Sequence, residues 1–192
     1  MKKLFAIFFD IVETFVVAAS VFVVVYVFLL QPHQVVGSSM FPNFHDKQYI
    51  LTDKISYCFN LPKRGEVVVF KSPEDAEKDF IKRVIALPNE TIKVENGQIL
   101  VNGTVLTEDY LDPNMQTPPG KFLGDEKEIK VPAGSYAVFG DNRLNSSDSR
   151  TWGFITASRA CGFFGSSSII GKAIFVYWPP KEAKLVPQIH YR

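Results

Sequence analysis

The spacing of apolar and polar positions divides the chain at about Pro32. Before it, Thr14–Leu30 (TFVVAASVFVVVYVFLL) carries no charged residue and is apolar all round rather than along one stripe. At 1.5 Å per residue such a helix covers about 26 Å, close to the roughly 30 Å of a bilayer core. A second apolar run, Leu4–Phe9, lies just upstream, interrupted only around Asp10 and Glu13. A helix from about Leu4 to Leu30 is therefore predicted to span a membrane. A cleaved signal peptide would have a shorter apolar run and a small-x-small site after it, which QPHQVV does not offer. A core helix would show one apolar face. Lys2 and Lys3 precede the span, and the nearest cations beyond it are Lys47 and Lys54, which places the N-terminus in the cytoplasm and the bulk of the chain outside.

After Pro32 the period changes from helical to β. GEVVVF (Gly65–Phe70) is a short apolar, β-branched run of the kind a buried strand requires, and DFIKRVIALP is another. TIKVENGQILVNGTVL holds Asn96-Gly97 and Asn102-Gly103, each between apolar β-formers. Asn-Gly supplies the positive φ angles of a tight hairpin, so this stretch predicts a meander of three strands. GSYAVFG and KAIFVYW complete the set. The pattern predicts an all-β domain over residues 32–192, a partly closed barrel or a pair of antiparallel sheets, behind an anchor over residues 1–31. Two segments read as excursions. Asp112–Glu128, rich in proline, glycine and charge, is expected to be an exposed loop. Thr156–Ser168 is rich in small residues around Phe163-Phe164, a pair that either dips into the outer leaflet or folds over the domain's own core.

Composition narrows the function classes. With 192 residues, 46% apolar, and a formal net charge of +1, the chain has no basic block or aromatic–basic interleaving, so no nucleic acid partner is expected. Cys58 and Cys161 lie far apart without CxxC spacing, which gives no zinc signature; an exterior location would permit a disulfide between them and does not require one.

VVGSSMFP (Val35–Pro42) follows the span closely, and a serine there is either a turn residue or a nucleophile working at the bilayer surface. A serine needs a base. His33, His45 and His190 sit in no motif with an orienting carboxylate, so surface or loop roles are expected for them. A lysine can serve if burial lowers its pKa. In DFIKRVIALP, strand alternation puts Lys82 with Phe80, Val84 and Ala86, and Arg83 with Ile81, Ile85 and Leu87. That stretch alone fits a solvated edge strand with two surface cations as well as a buried one. Only Lys82 could act as a base, and Arg83 suits holding a carboxylate. FGDNRLNSSDSRTWGF (Phe139–Phe154) is dense in polar groups, either a hydrogen-bonded turn or a cluster that orients a buried lysine.

Together these segments resemble the type I (leader) signal peptidase family. GSSMFP is similar to its S-M-x-P nucleophile motif, RGEVVVF to its R-G-D-V-V-V-F segment, and DFIKRVIALPNE to its I-K-R segment. GDNRLNSSDSRTWG follows G-D-N-R-x-N-S-x-D-S-R-x-W-G almost throughout, and GKAIFVYWP is similar to the closing strand. The resemblance covers about Gln31–Pro180 and implies a membrane-bound serine endopeptidase that removes signal peptides from preproteins after a small-x-small site. It implies Ser39 as nucleophile, Lys82 as general base, and Ser146 as a hydroxyl partner of the Lys82 amine. Asp148 and Arg150 would brace the site, with Asp141, Asn142 and Arg143 supporting them. The Ser39 N–H would help bind the oxyanion. Some members carry a serine two positions before the nucleophile; Gly37 stands there, in the oxyanion and substrate-binding stretch, without that hydroxyl. No metal or organic cofactor is implied, the partners are preproteins and membrane lipid, and a monomer is expected.

The sequence also departs from the family pattern. Asn43 and Phe44 replace threonine and leucine, Ala86 and Asn89 replace glycines, Leu144 replaces a frequent aspartate, and the segment between Gly153 and Gly171 is longer. These bear on subsite shape rather than on the catalytic groups. A repressor-type Ser-Lys protease would carry a DNA-binding helix-turn-helix instead of a membrane span. A purely binding relative would have no need of both Ser39 and Lys82.

Overall fold

The computed structural model describes residues 2–157, 168–189 and 191. Helix α1 (Lys2–Val24) continues through a π-helical turn (Val25–Leu29) directly into strand β1 (Leu30–Gln34), so the extended chain begins slightly ahead of Pro32. Within α1, Ile7–Val24 is long and apolar enough to cross a membrane, and none of it is buried against the rest of the protein. Phe9, Phe15 and Phe22 stand exposed on its surface, as a helix without a stripe requires.

Beyond it the described residues form two antiparallel sheets. The larger contains β1, β2 (Tyr49–Asp53), β3 (Val67–Lys71), β4 (Asp79–Ala86), β9 (Ser135–Phe139), β10 (Ile155–Thr156) and β11 (Ile169–Trp178), in the order β1-β2-β11-β3-β4-β9-β10, with β12 (Lys184–Leu185) alongside β11. The smaller is β7-β6-β5-β8, from β5 (Thr91–Glu95), β6 (Gln98–Val101), β7 (Thr104–Val105) and β8 (Ile129–Lys130). The expected meander is β5-β6-β7, and Asn96, Gly97, Asn102 and Gly103 all take positive φ at its two turns.

The partly closed barrel takes a more modest form. Both sheets are open strand paths among the described residues. The larger one curls strongly: β1 and β4 are four strand spacings apart, about 19 Å if flat, yet His33 of β1 comes within 3.5 Å of Asp79 of β4. The curl wraps one core of Val35, Met40, Phe44, Ile50, Val67, Val69, Ala173 and Val176. Val68, Phe70, Val84 and Val138 pack on the opposite face, and Ile85, Ile92, Val94, Ile99 and Phe139 fill the space toward the small sheet. Strand β3 is therefore buried on both faces, which is why its sequence is an unbroken apolar run.

β4 lies between β3 and β9, and Lys82 and Arg83 are 4% and 1% exposed. The solvated-edge alternative for this strand is thereby excluded. Asp112–Glu128 is largely exposed as expected, though Thr117 and Leu123 turn inward. Phe163, Phe164 and Cys161 lie outside the described residues, as does any pairing of Cys161 with Cys58, and so does His190.

Candidate active site

The Val35–Pro42 stretch leaves the β1–β2 ladder just after Val35, whose N–H donates to Gln48 O at 2.8 Å while its own carbonyl accepts from Lys47 N–H at 2.8 Å. Between these ties the chain bulges out and re-enters as a single helical turn, with Phe44 N–H donating to Met40 O at 2.9 Å. Met40 and Phe44 are 1% and 2% exposed and plug the core beneath the turn. Burying two such side chains is worth roughly 1.5–3 kcal/mol each, and it holds Ser39 at the surface of the curl. Loop 140–148, between β9 and the short helix Ser149–Trp152, grips the stretch from above. Asn142 donates from its backbone N–H to Ser39 O at 3.0 Å and from Nδ2 to Ser38 O at 3.1 Å; Asn145 Nδ2 donates to Ser38 Oγ at 3.0 Å.

Lys82 comes up from β4 into this gap. Its Nζ donates to Ser39 Oγ at 2.7 Å and to Ile81 O at 2.9 Å, and it lies 5.3 Å from the Phe80 ring centroid. Burial pulls its pKa down from the ordinary 10.5 to about 8, against the opposing pull of Asp148 and Asp141. Each of those carboxylates is already neutralised. Arg83 donates to Asp141 through Nε (2.8 Å) and Nη2 (2.6 Å), and Arg150 to Asp148 in the same two-pronged way (2.8 and 2.7 Å). Asp148 also accepts from Gly140 N–H and, capping the short helix that follows, from Arg150 N–H. Dry arginine–carboxylate pairs thus surround the lysine while leaving its own amine unpaired with a carboxylate.

Ser146, Arg143 and Gly37 complete the residues singled out from sequence. Ser146 Oγ is buried without a hydrogen-bond partner, and no bond to Lys82 is formed in this conformation. It lies beside Gly140, where an added Cβ would come within 2.2 Å of Ser146 Oγ and 2.4 Å of Ser39 O. Arg143 sits one shell out, paired with Glu108 and donating to Thr117 Oγ1 at 2.9 Å. Gly37 N–H is taken by Asp46 Oδ1 at 2.8 Å, so this amide is committed to the turn rather than free to meet a substrate. The Ser39 N–H, by contrast, has no acceptor among the described residues.

Several roles escaped the sequence reading, which took Asn43 only as a departure bearing on subsite shape. Asn43 Nδ2 donates to Asp141 Oδ2 (2.9 Å) and Tyr110 O (3.1 Å), joining the turn after Ser39 to the Arg83 pair. The Tyr110 ring lies 4.1 Å from the Arg83 guanidinium, and Tyr191 O–H donates to Tyr110 Oη at 3.0 Å. Glu108 and Tyr110 lie in an irregular loop with no motif, and no local signal could have pointed to them. His33, expected at a surface or in a loop, instead lies on β1 with its side chain 11% exposed, because the curl of the sheet brings that strand over β4. A cleft of about 580 Å³ runs from the Ser39–Lys82 contact along Ile81, Val35 and Val69 to His33 and Asp79. Among the described residues no group of three or more His, Cys, Asp and Glu is placed to hold a metal ion.

A serine hydroxyl hydrogen-bonded to a desolvated lysine, beside a free backbone N–H, is the apparatus of a hydrolase that works by nucleophilic attack. Comparison with known proteins names the class more narrowly. The family model described as signal peptidase, peptidase S26, matches residues 8–178, and the chain belongs to that family. It is 38% identical over 159 residues to signal peptidase I of Leptolyngbya laminosa, covering 79% of this chain and 70% of that protein. It is 35% identical over 161 residues to signal peptidase I T of Bacillus subtilis, covering 82% and 78%. A solved signal peptidase I from Enterococcus faecalis aligns at 28% identity with a TM-score of 0.45, over 59% of this chain and 97% of that one.

Proposed function

We propose that this protein is a signal peptidase I that cuts preproteins after a small-x-small site, with Ser39 as nucleophile and Lys82 as general base. The observation that carries the reading is the 2.7 Å contact between Lys82 Nζ and Ser39 Oγ, made by a lysine whose pKa burial has brought down to about 8. A fraction of Lys82 is then neutral near physiological pH. The neutral amine takes the Ser39 proton as Oγ attacks the scissile carbonyl carbon, and the carbonyl oxygen becomes an oxyanion facing the unoccupied Ser39 N–H. The resulting ammonium gives that proton to the departing amine as the C–N bond breaks, which leaves an ester on Ser39 and restores the neutral lysine. Water, deprotonated by Lys82, then attacks the ester. Collapse of the second oxyanion returns the proton to Ser39 and releases the signal peptide as a carboxylic acid.

The apolar cleft walls, Val35, Val69 and Ile81, support uncharged side chains at the subsites. The apolar helix supports single-pass anchoring. With Lys2 and Lys3 ahead of it, the N-terminus faces the cytoplasm and the sheets stand on the extracytoplasmic side, among membrane-tethered substrates. The full-length protein in detergent, incubated with a preprotein, should release a fragment whose mass places the cut after a small-x-small triplet, and Ser39→Ala should release none. A cut elsewhere, or an active Ser39→Ala protein, would reject the reading.

A further inference from the structure

Ser39 and Lys82 come from separate elements, a turn and strand β4, so their 2.7 Å contact depends on what holds the turn against the strand. Asn142 and Asn145 grip the start of the turn, at Ser38 and Ser39. Its far end carries Asn43, half-buried, with both side-chain N–H donors in use. Nδ2 donates to Asp141 Oδ2 at 2.9 Å and to Tyr110 O at 3.1 Å, while Lys184 Nζ of β12 donates to Asn43 O at 2.9 Å. A carboxylate and a carbonyl can only accept, so the side-chain amide has to present its NH2 group to them rather than its oxygen.

What Asn43 holds on to is rigid. Asp141 Oδ2 also accepts from Arg83 Nη2 at 2.6 Å, and the Arg83 and Asp141 side chains are 1% and 0% exposed. Arg83 Nη1 donates to Gly65 O at 2.9 Å, and the Tyr110 ring lies 4.1 Å from the guanidinium. Pulling such a dry pair apart strands two charges, so it stays where it is. Arg83 follows Lys82 directly in β4, which keeps their Cα atoms about 3.8 Å apart. One carboxylate oxygen therefore links the turn that carries Ser39 to the strand residue beside Lys82. A hydrogen bond to a carboxylate is shorter and stronger than one between neutral groups, which suits it to fixing a position.

We propose that Asn43 is a positioning residue for the reaction, one that sets the approach of Ser39 Oγ to Lys82 Nζ by tying the turn to the Arg83–Asp141 pair. This rests on the Ser39–Lys82 reading and adds the device that aligns the two groups. Asparagine suits the place because it offers two donors at short reach and no charge. Threonine, which stands here in the family pattern, has one hydroxyl donor and could serve one of the two acceptors. Aspartate has the shape of asparagine, but it has no donor and would set a second carboxylate against Asp141. Met40 and Phe44, which plug the core beneath the turn, are untouched by a change at Asn43, so the fold should survive where the alignment does not.

The test measures kcat and KM on one peptide carrying a small-x-small site, with the full-length protein in detergent and the urea midpoint of each variant recorded alongside. Asn43→Ala should stay folded and lose roughly 10- to 100-fold in kcat, the cost of a nucleophile displaced by about 1 Å, with KM within about threefold of wild type. Asn43→Thr should fall between Asn43→Ala and wild type, a partial rescue by the one donor it keeps. Asn43→Asp should be slower than Asn43→Ala although it is the closer match in shape, an order that a space-filling role would reverse. Wild-type kcat in folded Asn43→Ala, or Asn43→Asp faster than Asn43→Ala, would overturn the positioning role and leave the peptidase reading intact. So would Asn43→Ala and Asn43→Thr proteins that lose activity only as far as they unfold. A wild-type protein that cuts nothing, or an active Ser39→Ala, would overturn the Ser39–Lys82 reading and the role of Asn43 with it.

Discussion

At the scale of single residues, the two adjacent serines differ in what they touch. Ser39 Oγ meets Lys82, whereas Ser38 Oγ only accepts from Asn145 at the surface. Ser39→Ala should abolish cleavage and Ser38→Ala should keep most of it, as read by single-turnover processing. Lys82→Arg should be as inactive as Lys82→Ala, because a guanidinium keeps its proton. The lowered pKa of Lys82 fixes the direction of two pH effects. In the proposed mechanism the neutral amine is the working form, so kcat/KM should rise as pH passes through about 8. Between about 8 and 10.5 the unfolded chain holds a proton on Lys82 that the folded protein lacks, so the penalty of burying it is full below 8 and fades as pH rises toward 10.5. That span corresponds to about 3 kcal/mol. The Tm advantage expected for Lys82→Met should therefore be largest below pH 8 and shrink above it. Ser146→Ala separates a catalytic from a structural role for its hydroxyl. No hydrogen bond is lost in the resting protein, so Tm should hold. The rate should fall by roughly 10- to 100-fold if the hydroxyl orients Lys82 during turnover.

At the scale of elements, β4 and loop 140–148 are fastened by charge pairs with almost no water around them. Arg83 and Asp141 are 1% and 0% exposed. Removing one member of such a pair strands the other, which costs roughly 3–5 kcal/mol. Asp141→Ala should lower the urea midpoint by a corresponding amount, and the double variant Arg83→Met/Asp141→Leu should recover much of the loss. Gly140, where β9 meets the loop, tests positioning directly. An alanine Cβ there would press on Ser39 O, and moving a nucleophile by about 1 Å can cost on the order of 100-fold in rate. Gly140→Ala should lower kcat more than it raises KM.

At the scale of the whole molecule, the π-helical turn runs into β1 with no linker, so the long apolar helix leads directly into the edge strand of the large sheet. β1 also holds His33 and leads directly into the turn that carries Ser39. Removing residues 1–29 should leave cleavage of a short soluble peptide nearly intact and lower processing of a membrane-inserted preprotein, since tethering to the same bilayer raises the effective concentration of the two partners. Removing residues 1–34 should destroy both activities.

What the sequence determined by itself is whatever depends on local period and local chemistry. The uncharged run before Pro32 marks the helix, the Asn-Gly pairs mark the meander turns, and the apolar Val67–Phe70 run marks a strand buried on both faces. The resemblance of the segments around Ser39, Lys82 and Asp141–Arg150 indicated where the site's chemistry should be sought. The tertiary structure decided what depends on neighbours distant in the chain. DFIKRVIALP fits a solvated strand and a buried one equally, and only its place between β3 and β9 strips water from Lys82 and lowers its pKa. Glu108, Tyr110 and Tyr191 carry no motif, because their roles come from packing against Arg83 and Arg143. The placement of His33 shows the same limit. Its sequence neighbours are ordinary, and it enters the cleft because the sheet twists far enough to carry β1 over β4, a curvature summed over five strands that no single segment encodes.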